Sequence, residues 1–331
     1  MKLLILGGTV FVGRHLVARA IERGHTLTLL NRGRQNAELF PEVEKLRGDR
    51  DGDLSVLHGR AFDCVIDTCG YTPAQMHAVV AALGPQVPYY LFISSISAYG
   101  LFPPGRHYDE STPLAAGDAD YGACKARCEE VIEAAWPGRV AQVRPGLIVG
   151  PHDATERFTY WPRRVARGGT MLVPGQPDNP LQWIDVRDLA NWCIHLCEQG
   201  ICGQFNAVGP AGCASFGELI ERCRQVTQSD ARPFWVGDAT LLAHGVAPWT
   251  ELPLWIPQDD PESGGMLLAD YRSALSHGLS LRPLDETIRD TLQWDREQSV
   301  PLVANPRRAN TMSAAREAEL LTLLHATQSA S

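Results

Sequence analysis

The sequence predicts an α/β chain in which a doubly wound parallel sheet carries helices on both faces and a smaller region follows it. Short apolar runs alternate with amphipathic stretches of helical period through the first 150 residues. A glycine-rich turn, "LLILGGTVFVGRHL", stands between the first run and the first helical stretch. A chain of 331 residues with 44% hydrophobic content is long enough for a large core and a second, smaller one.

The elements follow in order. "KLLILG" is a short buried strand, "RHLVARAIERG" an amphipathic helix that stops at Gly24, and "HTLTLLNRG" a second strand. A weak third strand precedes "GDR" at Gly48 to Arg50; next come the strand "FDCVIDTCG", the helix "PAQMHAVVAALG" and the strand leading into "ISSISAYG". A helix is predicted from about Tyr121 to Ala135, then the strand "VAQVRPGLIVG". Parallel strands joined by right-handed crossover helices satisfy this alternation. The expected boundaries are 1–150 plus about 182–209 for the doubly wound unit, and about 151–181 plus 210–331 for a second, smaller domain. The final helix, "SAAREAELLTLLHAT", is expected to begin on a serine cap.

Composition narrows the function. A formal charge of −8 argues against a surface built to neutralise phosphate backbones, so nucleic acid is not the expected partner. No apolar run approaches the ~20 residues of a membrane span, and a cytoplasmic protein is expected. Nine cysteines without a CxxC pair fit reduced thiols. The spacing Cys193-Ile194-His195-Leu196-Cys197 lies on a helix of buried pattern with no second cluster to complete a four-ligand site, so no metal is expected.

The glycine turn opens a helix whose first N–H groups can face a pyrophosphate. Gly7 permits a tight turn, Gly8 adds freedom, and Gly13 allows close helix–strand packing; Thr9, Val10, Phe11 and Val12 complete the candidate cofactor loop. Val10 stands where a middle glycine is usual, which is expected to displace the phosphates slightly. At the end of the second strand, Asn31-Arg32-Gly33-Arg34 replaces the carboxylate that would bind a ribose 2′-OH. Forked cations suit a 2′-phosphate, which predicts NADP(H). Asp49 is placed near the adenine with Arg50 among the cofactor residues, and Cys69, Gly70 and Tyr71 at the carboxyl edge of the sheet, Tyr71 on the substrate side.

The chemistry is carried by "YGACK". Tyr121 and Lys125, four apart at a helix start, share one face. Eight tyrosines and three lysines give a chance expectation of about 0.07 for such a pair. A neighbouring ammonium lowers a phenol pKa and fits Tyr121 for proton transfer, while Lys125 can hold a nicotinamide ribose. Ser94, Ser95 and Ser97 supply hydroxyls just upstream.

Together these residues resemble the short-chain dehydrogenase/reductase superfamily, in its extended, NAD-dependent epimerase/dehydratase-like branch. The resemblance runs through the glycine loop, "SSISAYG", Tyr121 with Lys125, "RPGLIVGP" from Arg144, "QWIDVRDLA" from Gln182 and "FNAVG" from Phe205. Within it, "GGTVFVGRHL" with "NRG" is similar to an atypical subgroup that includes isoflavone-reductase-like bacterial proteins and plastid stem-loop RNA-binding proteins. The resemblance implies a Ser-Tyr-Lys triad with Ser95, or alternatively Ser97, as its hydroxyl. It also implies that Pro145, Leu147 and Ile148 back the nicotinamide with Ser94 nearby, and that a homodimer forms. The Asp-Glu pair of the sugar dehydratases is replaced by Ile96 and Ser97.

In "ERFTYWPRRVARGG", Arg163, Arg164 and Arg167 either clamp an anionic substrate or form a solvated face, and Trp161 is placed at the substrate. Six late tryptophans, Trp161, Trp183, Trp235, Trp249, Trp255 and Trp294, either line a pocket or, preferably, pack a core. The 20 residues "LFPPGRHYDESTPLAAGDAD" suggest a lid. Three functions follow: an NADP(H)-dependent reductase of a small-molecule carbonyl or imine, ranked first; a nucleotide-sugar epimerase; and a non-enzymatic RNA-binding or scaffold protein.

Overall fold

A computed structural model describes residues 1–117, 120–209, 214–297 and 310–329. Its main sheet has seven parallel strands in the order β10-β6-β5-β4-β1-β2-β3. These are β1 (Lys2–Leu6), β2 (Thr26–Asn31), β3 (Glu44–Arg47), β4 (Cys64–Asp67), β5 (Tyr90–Ile93), β6 (Val140–Pro145) and β10 (Gly203–Ala207). Helices α1 (Phe11–Glu22), α2 (Pro73–Leu83) and α3 (Tyr121–Ala135) make the crossovers, and α5 (Val186–Gln199) packs beside α1. The expected Rossmann-like fold is present. The chain reverses direction across the sheet where β4 lies beside β1, which opens a crevice at the carboxyl ends of those strands.

Local chemistry explains the element ends. Thr72 caps α2, with Pro73 in its first turn; Asp120 Oδ1 accepts from Ala123 N at 2.8 Å and so starts α3 at Tyr121. Helix α3 occupies the residues expected of it. Strands β4 and β5 are buried on both faces, which accounts for the apolar runs Cys64–Ile66 and Tyr90–Ile93.

Beyond the sheet lie β7 (Ile148–Val149) paired with β9 (Ile184–Asp185), and β8 (Thr170–Pro174) paired with β11 (Arg232–Val236). Helices α4 (Tyr160–Ala166), α6 (Phe216–Thr227), α7 (Asp238–Ala243), α8 (Arg272–Ser276), α9 (Leu284–Glu297) and α10 (Ala314–Ser329) belong to this region. The short strand at Ile184 pairs with β7, while β10 joins the main sheet at its β6 edge. The last helix begins as expected, Ser313 Oγ accepting from Arg316 N at 3.1 Å. It docks on its own chain: buried Glu317 takes Arg164 Nε at 2.7 Å and Leu172 N at 3.0 Å.

The segment expected to be a lid is anchored at Tyr108. Tyr108 is buried, its hydroxyl donates to Met266 O at 2.7 Å, and its ring meets those of Tyr99 and Phe102 edge-on, each at 5.0 Å. Among the described residues no helix is long and apolar enough to cross a membrane.

One buried ion pair ties α3 to β6. Arg144 Nη2 donates to Glu129 at 2.7 Å with side chains 1% and 2% exposed, whereas Arg127 and Glu130 on the same helix pair at 53% and 57% exposure. Removing one partner of a buried pair strands a charge, and exposed pairs contribute little. Glu129→Ala is therefore expected to lower the unfolding free energy by about 3–5 kcal/mol and Glu130→Ala by no more than about 0.5 kcal/mol, read from denaturant melts.

Candidate functional site

The glycine loop leaves β1 with Gly7 at φ 109° and Gly8 at φ 97°, conformations that favour glycine. A Cβ on Gly13 would lie 2.7 Å from the Gly8 amide nitrogen, so α1 can close onto the turn only with glycine there. Thr9 is buried, and Phe11 enters α1 at φ 28°. The Val10 side chain is 45% exposed at the helix N-cap, so it does not fill the loop's interior. A second layer braces the turn. Asn31 Nδ2 donates to Gly7 O at 3.0 Å, Asn31 Oδ1 accepts from Gly33 N at 2.9 Å, and Asn36 donates to Thr9 O at 2.8 Å. Asn31 is thus a brace beneath the loop. Arg32 and Arg34 are exposed beside it, with Arg32 Nη1 3.9 Å from the Asp49 carboxylate. Arg47, at the end of β3, donates to Asn31 and adds a third cation that sequence reasoning did not single out. Loop, brace and cations fit a dinucleotide.

The guanidinium of Arg50, expected among the cofactor residues, turns inward and meets both Asp67 oxygens at 3.0 Å, so its charge is engaged inside the protein. Asp67, fully buried at the end of β4, also accepts from Tyr90 Oη at 2.7 Å and from Cys69 N at 3.0 Å. These contacts fix the turn that holds Cys69, Gly70 and Tyr71. Cys69 itself is a thiol whose pKa burial raises to about 11.

Lys125 closes this edge. It is 2% exposed, and Nζ donates to Gly70 O at 2.8 Å and Ile93 O at 2.9 Å. The rings of Phe92, Tyr71 and Tyr121 surround the ammonium, with centroids at 4.6, 5.2 and 5.9 Å. Burial pulls its pKa down to about 8, against the opposing pull of Asp67. Tyr121, on the first turn of α3, is 50% exposed.

The serines arrive by close packing. A Cβ on Gly122 would sit 2.1 Å from Ser97 O, so only glycine after Tyr121 lets α3 lie against the 3-10 turn Ile96–Tyr99. Ser95 and Ser97 hydroxyls are 3.1 Å apart and partly exposed. Ser94 Oγ is buried, with no hydrogen-bond partner among the described residues. Pro145 lies inside β6 and Leu147 in a core, so what these two can offer is backbone; Ile148 is partly buried in β7.

Trp161 is a correction to its expected role. It is fully buried in the C-terminal core and donates to Pro253 O at 2.8 Å; a substrate cannot reach it. Trp183, Trp255 and Trp294 are likewise buried, as core packing predicts. Arg163 pairs with Glu156 and Asp295, and Arg164 with Glu317, so neither is a free clamp. From this region Arg157 interacts electrostatically with Tyr121. No motif marked this arginine.

Residues 73–207 match the model of the NAD dependent epimerase/dehydratase family. The chain is 27% identical over 211 residues to the chloroplast stem-loop binding protein of 41 kDa b of Arabidopsis thaliana, covering 59% of this chain and 54% of that protein. It is 28% identical over 224 residues to a 2-alkyl-3-oxoalkanoate reductase of Stenotrophomonas maltophilia, covering 58% of this chain and 64% of the reductase. The match therefore spans between half and two thirds of these relatives. The structure of UDP-glucuronic acid 4-epimerase from Bacillus cereus in complex with NAD superposes with a TM-score of 0.66 at 16% identity, over 92% of this chain and 99% of that one. At that identity the likeness is one of fold.

Two tests follow from the geometry. Gly13→Ala is expected to weaken NAD(P)H binding by about tenfold or more, ~1.4 kcal/mol or above, in a fluorescence titration, with the fold retained by circular dichroism. The three lysines allow Lys125 to be followed alone by ¹³Cε NMR across pH. Its midpoint near pH 8 is expected to fall in Asp67→Asn and rise in Arg50→Gln, since the first removes a neighbouring negative charge and the second a positive one.

Proposed function

We propose that the chain is an NADP(H)-dependent reductase of a carbonyl or imine in a small-molecule metabolite. The observation that carries this reading is the exposed Tyr121 phenol on the first turn of α3, one turn from a buried lysine at the crevice edge. When bound, the nicotinamide supplies a hydride to the substrate carbon. Tyr121 gives its proton to the substrate oxygen or nitrogen, and the phenolate left behind lies beside the Lys125 charge. The Ser95 hydroxyl, with Ser97 alongside, donates to the same substrate atom as charge builds on it.

NADP(H) is favoured by three arginines at the β2–β3 end, where the only carboxylate in ion-pair reach of Arg32 among the described residues is Asp49 at 3.9 Å. The relative named as a 2-alkyl-3-oxoalkanoate reductase supports reduction of an oxo group. The relative named as a stem-loop binding protein supports the atypical subgroup, but a net charge of −8 weighs against an RNA-binding surface. A nucleotide-sugar epimerase holds its cofactor through oxidation and re-reduction of one carbon, which an exchangeable NADPH does not suit.

Tyr121→Phe is expected to bind NADPH normally and to turn over carbonyl substrates about 10²–10⁴-fold more slowly, followed by NADPH absorbance. Unchanged turnover would remove Tyr121 from the reaction. Arg32→Ala is expected to weaken NADPH much more than NADH; equal losses would show that Arg32 does not read the 2′-phosphate.

A further inference from the structure

We infer that Arg157 is the anion-binding residue of the substrate site, and that the substrate of the reductase proposed above carries a carboxylate or phosphate near its reacting carbonyl. The inference rests on that reading for the identity of the reacting group and on separate observations for the anion.

Arg157 lies in the connection from β7 to α4, beyond the carboxyl edge of the sheet. Its Nε donates to Thr155 Oγ1 at 3.2 Å, and among the described residues no carboxylate lies within ion-pair distance of its terminal nitrogens. This sets it apart from Arg144, Arg163 and Arg164, each of which meets a glutamate or aspartate. The carboxylate that does lie nearby is already engaged. Asp153 is 1% exposed and accepts from Thr155 N at 2.9 Å and from Thr155 Oγ1 at 2.7 and 2.9 Å. Thr155 therefore stands between the two charges and holds the guanidinium by its Nε side, leaving the fork of Nη1 and Nη2 to other acceptors.

Burial disfavours the Arg157 charge and lowers its pKa from the usual guanidinium value, with Asp153 and Tyr121 acting against that shift. A fixed cation in such surroundings is stabilised by an incoming anion, and a planar fork matches carboxylate and phosphate oxygens. Trp249 covers one face of the guanidinium, its ring centroid 5.6 Å away. Its backbone is held at φ 61°, a conformation that a bulky side chain rarely adopts, with its N–H fixed to Trp255 O at 3.0 Å. The strained tryptophan and the threonine fix the plane of the fork. The same guanidinium interacts electrostatically with Tyr121.

The test is isothermal titration of the full chain with malonate and, separately, with inorganic phosphate, in the presence and absence of NADP⁺. The wild type is compared with Arg157→Gln, Arg157→Lys and Trp249→Leu, and NADPH binding is measured on each preparation. The inference predicts saturable binding of at least one of the two anions. It predicts at least a tenfold loss in Arg157→Gln, a smaller loss in Arg157→Lys and Trp249→Leu, and unchanged NADPH affinity in all three. Preference for malonate identifies a carboxylate substrate, and preference for phosphate a phosphorylated one. No binding of either anion to the wild type, or equal binding by the wild type and Arg157→Gln, overturns the inference. Should Arg157→Gln fail to fold, the Lys and Trp249 variants decide between the same two results. A chain that binds an anion through Arg157 but takes no NADPH refutes the reductase reading alone.

Discussion

The buried ammonium of Lys125 is the constraint on which the candidate site depends. A lysine at 2% exposure must find acceptors inside the protein, and it finds two main-chain carbonyls, Gly70 O and Ile93 O, from the ends of two different crossover units. That requirement organises the edge. The turn that presents Gly70 O is set by Asp67, which is itself held by Arg50 and Tyr90. The helix that presents Lys125 is set by the Asp120 cap and by the contact of Gly122 with Ser97. Tyr121 and the serines then occupy the one place left to them, beside the lysine at the mouth of the crevice.

Arginine is used in two distinct ways in this chain. Most buried guanidiniums face carboxylates and act as ties between elements: Arg144 to Glu129 joins α3 to β6, and Arg164 to Glu317 fastens the last helix. Others present charge to the solvent or the crevice, as Arg32 and Arg34 do at the β2 end. The difference cannot be read from residue type. It lies in whether a carboxylate from a distant part of the sequence arrives in reach.

That distinction also explains how much was legible in the sequence. The glycine turn, the strand–helix alternation and the limits of α3 are local properties, written in turn chemistry, caps and periodicity, and they stand in the fold as expected. The Tyr121–Lys125 pair is local as well, being one helical turn. The partners of Arg50 and Arg164 are not legible locally, because Asp67 lies 17 residues from the first and Glu317 lies 153 residues from the second. Trp161 was placed at a substrate because an indole near a cleft and an indole in a core have the same sequence signature; only its burial separates them. Arg157 was overlooked among its neighbours for the complementary reason, since its distinction is the lack of a carboxylate partner among the described residues.

The central claim is that this frame holds an exchangeable NADPH for net reduction. The direct measurement is the identity and exchange of the nucleotide on the purified protein: denaturing extraction to see what is carried, then fluorescence titration with NADPH and with NADH. Little retained nucleotide and reversible binding that favours NADPH are expected of a reductase. Retained NAD⁺ that resists exchange, or a preference for NADH, would contradict that claim.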